Sequence, residues 1–479
     1  MSVPHEVADV EALSGLSRFR DRFYDCLDTR ADALFELADA VICTDGPVTS
    51  LVELSLAPVF RRGHGALYDA LTDGAIDEER LRDLLVDQLP ADAPLMFGID
   101  STTYPRPNAE CSPDRGLHYA PCRCDGDRKV VPGWEFQWVM GLEWGRSSWT
   151  LPLDARRLPA GSYPVAWTAN QIRDLTERLS KQSDVIQRAA PLFVLDQGYA
   201  AAALTHALDG LEVQTLVRIG GDRVYYDGRP GPRKPGPGRN GVHGNRFELS
   251  AKVNLRRPDQ LLVAPDTLNY GRVEVRCWQR MHQKVQRNGY FARLDAELFT
   301  RLPVIEGTVI KVRVERLPDG RNPHRTMWLW HSGPHAPDLD ICWRAYLRRF
   351  DMEHTFKLMK SQLGWTAARL RHPEQTIRWT WLLIAAYTQL HLARDLATDM
   401  RRPWERRPRP GKPLTPYRVR RAFRHMRDRL GTPTRLPKTS HPGPGRPPGG
   451  RNTPAPRHYL GSELRKTDTA EKIGAEKKG

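Results

Sequence analysis

Two short apolar runs, each ending in an aspartate, constrain this chain more than any other feature. LMFGID closes on Asp100 and PLFVLD closes on Asp196. Runs of this length without helical periodicity predict buried strands. Between them, WEFQWVMGLEW and SSWTLPL alternate and are rich in aromatics, which predicts two more strands. NQIRDLTERLSKQSDVIQRAA carries a helical period ahead of the second aspartate run. AAALTHAL predicts a helix after it, followed by the strand VQTLVRI. The order is three strands, helix, strand, helix, strand. Such an α/β order places both aspartates at the ends of central strands.

That order is the order of an RNase H-like core, here spanning residues 93–226 and resuming at 336–402. Residues 1–92 precede it and are helical in period, with Phe23, Leu27, Leu34, Leu37 and Val41 spaced for one apolar face. They read as a separate small helical N-terminal domain. Residues 227–335 begin with a Gly/Pro/Arg-rich stretch and continue with β-like runs such as VEVRCWQRM, VIKVRVERL and TMWLWHSG, a β-rich insertion. From Ile341 the helical period returns. Residues 403–479 form a basic Pro/Gly-rich tail in which PYRVRRAFRHMRDRL is the one expected helix.

Charge is distributed unevenly. The chain of 479 residues carries 73 Lys+Arg against 57 Asp+Glu, and from Arg401 onward the balance is 22 against 6. The first 400 residues are therefore neutral, with 51 of each sign. A basic, proline-rich end predicts polyanion binding through counterion release. At 40% hydrophobic and 27% charged residues the composition is globular, not disordered. No apolar window of membrane length is present, which excludes a membrane partner of the spanning kind. The N-terminus lacks the pattern of a signal peptide. Seven dispersed cysteines predict reduced thiols and an intracellular, cytoplasmic protein.

Two carboxylates at adjacent strand ends suit a hard cation such as Mg²⁺, which takes a few oxygen ligands and keeps waters for substrate. An aspartate after a strand also commonly caps a turn, so neither residue is decisive alone. The later helix adds Tyr346, Arg349, Glu353 and Lys360 at the spacing Y-x2-R-x3-E-x6-K. At about 100° per residue these four fall within an arc of roughly 60°. An i, i+4 ion pair explains Arg349 with Glu353 but leaves Tyr346 and Lys360 without a reason.

With those residues in place the chain resembles a DDE-type insertion-sequence transposase, of the group with a Tyr-Arg-Glu-Lys signature. The resemblance spans about residues 20–440. It implies that Asp100, Asp196 and Glu353 are catalytic and hold two Mg²⁺ ions, with Mn²⁺ able to substitute. One ion would activate a water or 3′-hydroxyl and the other would stabilise the leaving oxygen. It further implies that Tyr346, Arg349 and Lys360 bind transposon-end DNA, with Arg218 in LVRIG as a nearby phosphate contact. The expected partners are double-stranded DNA with terminal inverted repeats, target DNA, and a second copy of the chain in a homodimer on paired ends. A metal-dependent nuclease or resolvase on the same core, and a catalytically dead DNA-binding descendant, stay open as alternatives.

Weaker features remain. Trp278, Trp328 and Trp330 are candidates for stacking on a flipped base, set against an ordinary core role. Cys111, His118, Cys122 and Cys124 cluster in sequence, but C-x-C lacks the usual zinc-knuckle spacing. RPGPRKPGPGRNG has no Lys-Ser/Thr ending and is no phosphate-binding loop. Its Arg229, Arg233 and Arg239 are expected to meet DNA backbone; Arg115 and Lys129 are candidates for the same contact that nothing in the sequence distinguishes from ordinary surface charges.

Overall fold

The computed structural model describes residues 3–91, 93–119, 130–145, 147–182, 190–228, 241–251, 256–294, 302–317, 325–406, 413–439, 449, 453–458 and 460. The chain opens with helices α1 (Val3–Asp25), α2 (Ala31–Cys43), α3 (Leu51–Leu54), α4 (His64–Asp73) and α5 (Glu78–Val86). A small antiparallel pair, β1 (Leu27–Thr29) with β2 (Ala75–Ile76), ties them together. Ser50 and Asp77 cap α3 and α5 by accepting from the backbone N–H three residues on.

The central strands are β3 (Met96–Pro105), β4 (Gly116–Tyr119), β5 (Val130–Leu142), β6 (Thr150–Leu158), β7 (Leu192–Leu195) and β8 (Gln214–Ile219). Helices α6 (Pro164–Ser180) and α7 (Ala201–Ala207) flank β7 in sequence. The spatial order is β6-β5-β3-β7-β8, with β3, β7 and β8 parallel and β5 and β6 antiparallel to their neighbours. β4 lies on the Gly133 end of β5. The fold is thus mixed α/β around one large mixed sheet.

The β-rich stretch continues this sheet. β9 (Val224–Asp227), β10 (Asn245–Glu248), β11 (Gln260–Thr267), β12 (Gly271–His282), β13 (Glu306–Val314) and β14 (Thr326–Ser332) follow. A short 3₁₀ turn, Phe291–Arg293, lies between β12 and β13. β14 pairs antiparallel with β8, giving twelve strands in one sheet. An open edge at β8 would present unpaired backbone groups; β14 covers it.

The C-terminal helices are α8 (Leu339–Arg348), α9 (Asp351–Ser361), α10 (Pro373–Leu392) and α11 (Pro416–Leu430); α8 packs on β7 and β12, α9 and α10 on β6, and α11 on α2 and α10. α10 is apolar nearly all round, and such a helix is stable only when enclosed. Trp379, Trp381, Leu382, Leu383 and Ile384 are fully buried, and α10 packs against α1, α2, α4, α11 and β6.

That enclosure changes the reading of the two chain ends. The 1–92 helices share one continuous hydrophobic core with α10 and the sheet, where sequence reading set them apart. The cause is α2, buried continuously from Ala33 to Ile42 between α10, α4 and α11. Arg20 fastens the contact, donating to Asp39 at 2.7 Å and to Gln389 at 2.5 Å. Residues 413–439 of the expected tail are likewise folded onto α2: Arg420 donates to the carbonyls of Val41 and Gly46, and Thr434 to Glu36.

Candidate active site

The sheet register builds the site's floor. Ile99 pairs with Leu195 and Leu195 with Val217 on parallel strands. One step further along each strand stand Asp100, Asp196 and Arg218, consecutive neighbours across the sheet. Side chains alternate between faces, so Gly98, Asp100 and Thr102 share the face under α9. Gly98 makes room for α9's Met352: a Cβ there would press on the Met352 side chain, with a Leu142 methyl at 3.3 Å.

Glu353 comes from this helix, with a departure from the expected geometry. The Y-R-E-K segment predicts one continuous helix; α8 ends at Arg348 and α9 begins at Asp351. Arg349 and Phe350 keep right-handed helical dihedrals, and Phe350, Met352 and Glu353 donate to carbonyls three residues back. The turn is tightened in the 3₁₀ manner, so the helical path continues across it and the four residues still approach the same region.

At the focus is the Arg349 guanidinium. Nη1 donates to Asp100 Oδ2 at 3.1 Å, while Nη2 lies 3.6 Å from Asp196 Oδ2 and 3.8 Å from Glu353 Oε1. Its side chain is 7% exposed, while Asp100, Asp196 and Glu353 are 26%, 38% and 48% exposed, so the contact to Asp100 is the most desolvated of the three. Tyr346 donates its hydroxyl to Asp196 Oδ1 at 3.1 Å, and Arg218 approaches the same oxygen at 4.0 Å. Asp100 also accepts from the Ser101 N–H at 2.8 Å.

Protonation follows from this crowding. Burial pushes the Asp100 carboxyl up to about 6, with Arg349 and the Ser101 N–H pulling it down and Asp196 and Glu353 pushing it further up. Glu353 is raised as well, by burial first, with Asp196 adding to it and Arg349 opposing. Burial and the Asp196 charge hold the Tyr346 hydroxyl protonated, up to about 12, as a donor must be.

Three hard oxygen donors from two neighbouring strands and a facing helix fit a divalent ion of the Mg²⁺ type. Among the described residues no three acidic, His or Cys side chains close on one point tightly enough to cage an ion. The guanidinium stands between the carboxylates, and its own Nε is buried without a hydrogen-bond partner among the described residues.

Lys360 lies further along α9, donates to Thr102 Oγ1 at 2.6 Å and sits 5.7 Å over the Trp365 ring. Sequence reasoning did not single out Thr102, Gly98, Met352 or Tyr199. The first two were accessible from strand alternation with Asp100. The Tyr199 hydroxyl, in the motif after Asp196, is buried without a hydrogen-bond partner among the described residues. On the sheet's opposite face Ser101 donates to Glu135 at 2.6 Å, and His118 pairs with that glutamate at 3.3 Å.

Several sequence candidates sit elsewhere. Trp278 and Trp330 are fully buried and Trp328 nearly so; Trp278 donates to the Arg256 carbonyl and Trp330 to Thr205, so these rings are core, not exposed stacking platforms. Arg115 donates to the carbonyls of Ser112, Arg106 and His458 and is buried, so it staples loops instead of facing DNA. Cys122, Cys124, Lys129, Arg229, Arg233 and Arg239 lie outside the described residues. On α11, Arg418 and Arg421 pair with Glu405, Arg424 with Asp45 and Arg427 with Asp39. Much of the positive charge on that helix is thus matched internally. Among the described residues no helix is long and apolar enough to cross a membrane.

The sequence model of the DDE superfamily endonucleases matches residues 22–284, more than half of the chain. No curated protein matches the chain.

Proposed function

Because the chain belongs to the DDE superfamily endonucleases, we propose that it is a transposase that cuts and joins DNA at the inverted-repeat ends of an insertion sequence. The observation that carries this reading is the convergence of Asp100, Asp196 and Glu353 on one buried guanidinium. The strand order β6-β5-β3-β7-β8, with Asp100 and Asp196 on its central parallel strands, supports an RNase H-like catalytic core extended by β9–β14.

DDE nucleases generally use divalent metals, and here Asp100, Asp196 and Glu353 are the residues that would hold two Mg²⁺ ions, or Mn²⁺ in their place. When bound, such ions activate the attacking hydroxyl and neutralise the leaving oxygen of an in-line displacement. The chain's own residues do the rest. Tyr346 orients Asp196 by donating to it. Arg218 and Lys360, at the two sides of the acidic centre, are placed for phosphate oxygens. Arg349 balances the carboxylates until metal and DNA arrive, then turns to the DNA backbone. The helical 1–92 region is the reading's end-recognition element, acting with the core it is packed upon, in a homodimer on paired ends.

The test is strand cleavage and strand transfer with duplexes bearing the element's ends. Asp196→Ala is expected to lose both while retaining end binding. Undiminished Mg²⁺-dependent cleavage by that variant overturns the assignment. Cleavage by the unaltered protein without joining of 3′-hydroxyl ends favours a nuclease or resolvase. End binding without either reaction favours the DNA-binding descendant.

A further inference from the structure

The face of the sheet opposite Asp100 carries a second feature. Trp330 belongs to the row of Ile99, Leu195 and Val217, and alternation puts Trp328 on this same opposite face. Cross-strand pairing then runs Leu261 with Arg276, Arg276 with Lys311, and Lys311 with Trp328. In the adjoining row Glu274 pairs with Arg313.

The charge arrangement of these rows is unfavourable to the fold alone. Arg276 and Lys311 stand directly opposite one another, a like-charge pairing that destabilises a sheet. Glu274 is engaged with Arg276 at 2.6 Å, and among the described residues neither Lys311 nor Arg313 has an ion pair. Lys311 instead rests 4.8 Å over the Trp328 ring. Its ammonium is held below the usual lysine range by burial and then by Arg276 and Arg313. Three cations with one anion, on a pleated surface that leaves Arg276 and Arg313 exposed, form an unneutralised positive shelf. Leu261, 57% exposed, borders it on β11.

We propose that this shelf, Arg276, Lys311 and Arg313 above Trp328, is a second nucleic-acid contact surface that grips the phosphate backbone of duplex DNA. Charge complementarity identifies the occupant: closely spaced cations from adjacent strands match a polyanion of closely spaced phosphates. The contact is to backbone and carries no sequence information. Facing away from the carboxylates, it holds DNA other than the segment at Asp100, which lets one protomer contact two stretches of duplex.

The test uses the full chain in EDTA with a labelled generic duplex, so that no catalysis is involved. Its failure is therefore separable from failure of the Asp100–Asp196–Glu353 reading. Arg313→Gln, at an exposed position, is expected to make the log–log salt dependence of binding shallower by about 0.9. Lys311→Gln/Arg313→Gln is expected to make it shallower by about 1.8, with affinity about three- to ten-fold weaker near 0.1 M salt. Lys311→Arg is expected to retain the slope. An unchanged slope in both Gln variants overturns the proposal. So does a loss in Lys311→Arg equal to that in Lys311→Gln, which would mark a packing role. Displacement of polyglutamate by the same variants, with DNA binding unaltered, would assign the shelf to an acidic protein partner.

Discussion

Arg349 donates to Asp100 across 249 residues of chain, from the turn between two helices to the middle of the central strand, at 3.1 Å. The same guanidinium reaches Asp196 and Glu353, so one cation neutralises carboxylates brought together from three separate segments. Three carboxylates gathered this closely repel one another, and a counter-charge at their centre relieves that repulsion. Arg349 therefore has a role in the protein by itself, before any nucleic acid is bound. The site is assembled from a parallel register that aligns two aspartates and a helical turn that delivers an arginine and a glutamate.

Removing that cation exposes its role. Arg349→Ala is expected to destabilise the protein by less than the roughly 3–5 kcal/mol typical of breaking a fully buried pair, because Asp196 and Glu353 are 38% and 48% exposed and water screens them. Divalent metal is expected to recover part of the loss, because it supplies charge to the same three carboxylates. Thermal melts with and without Mg²⁺ or Mn²⁺ measure this: the metal-induced rise in Tm should be larger for the variant than for the unaltered protein. An equal or smaller rise would mean that metal and guanidinium do not address the same groups.

Asp100 predicts a pH dependence whose sign is fixed by the direction of its shift. With its carboxyl raised to about 6 in the folded protein, Asp100 binds a proton more tightly than in the unfolded chain. Its contribution to stability is therefore fully present below about pH 4, declines as pH rises toward 6, and is constant above that. Relative to Asp100→Asn, the unaltered protein should lose roughly 3 kcal/mol between pH 3 and pH 7. Urea unfolding of both proteins across that range checks it; a difference that grows in the opposite direction would show Asp100 to be held low by Arg349. Added Mg²⁺ should stabilise the unaltered protein at pH 7.5 more than at pH 5.

Much of this frame was readable from residue patterns, and the departures have physical causes. The apolar runs before Asp100 and Asp196 mark β3 and β7 because buried strands need uninterrupted apolar side chains. The turn at Arg349–Phe350 left no mark, since both residues keep helical dihedrals and neither is glycine or proline. The joining of the N-terminal helices to α10 depends on α2 being apolar on several sides, which a single-face periodicity search underweights. The α11 arginines read as a free positive helix because their partners, Asp39, Asp45 and Glu405, are fixed only by the fold. Trp278, Trp328 and Trp330 show the same limit: composition marks aromatics, and only packing tells a core ring from a stacking ring.

Lys360 separates a DNA contact from a structural one. It donates to Thr102, two residues beyond Asp100 on the same sheet face, which brings it to the side of the carboxylates. Lys360→Ala is expected to weaken binding to end-containing duplex and to reduce the salt slope by about one phosphate's worth. Lys360→Arg should retain most of the slope. Binding titrations at several salt concentrations decide it, and a slope identical in the Ala variant would leave Lys360 as a tie between α9 and β3.

Gly98 tests whether catalysis depends on how closely α9 lies on the sheet. An added methyl at this position presses on the Met352 side chain, with a Leu142 methyl at 3.3 Å, inside a fully buried contact. Overpacking of this kind costs about 1–3 kcal/mol. Met352 is adjacent to Glu353, so lifting one displaces the other from Asp100 and Asp196. Gly98→Ala is therefore expected to lower both Tm and cleavage rate. Met352→Ala removes the obstructing atoms, and combined with Gly98→Ala it should recover activity beyond either single variant, a coupling that a double-mutant cycle reads directly. Additive losses in the double variant would mean that the spacing between α9 and β3 does not govern where Glu353 stands.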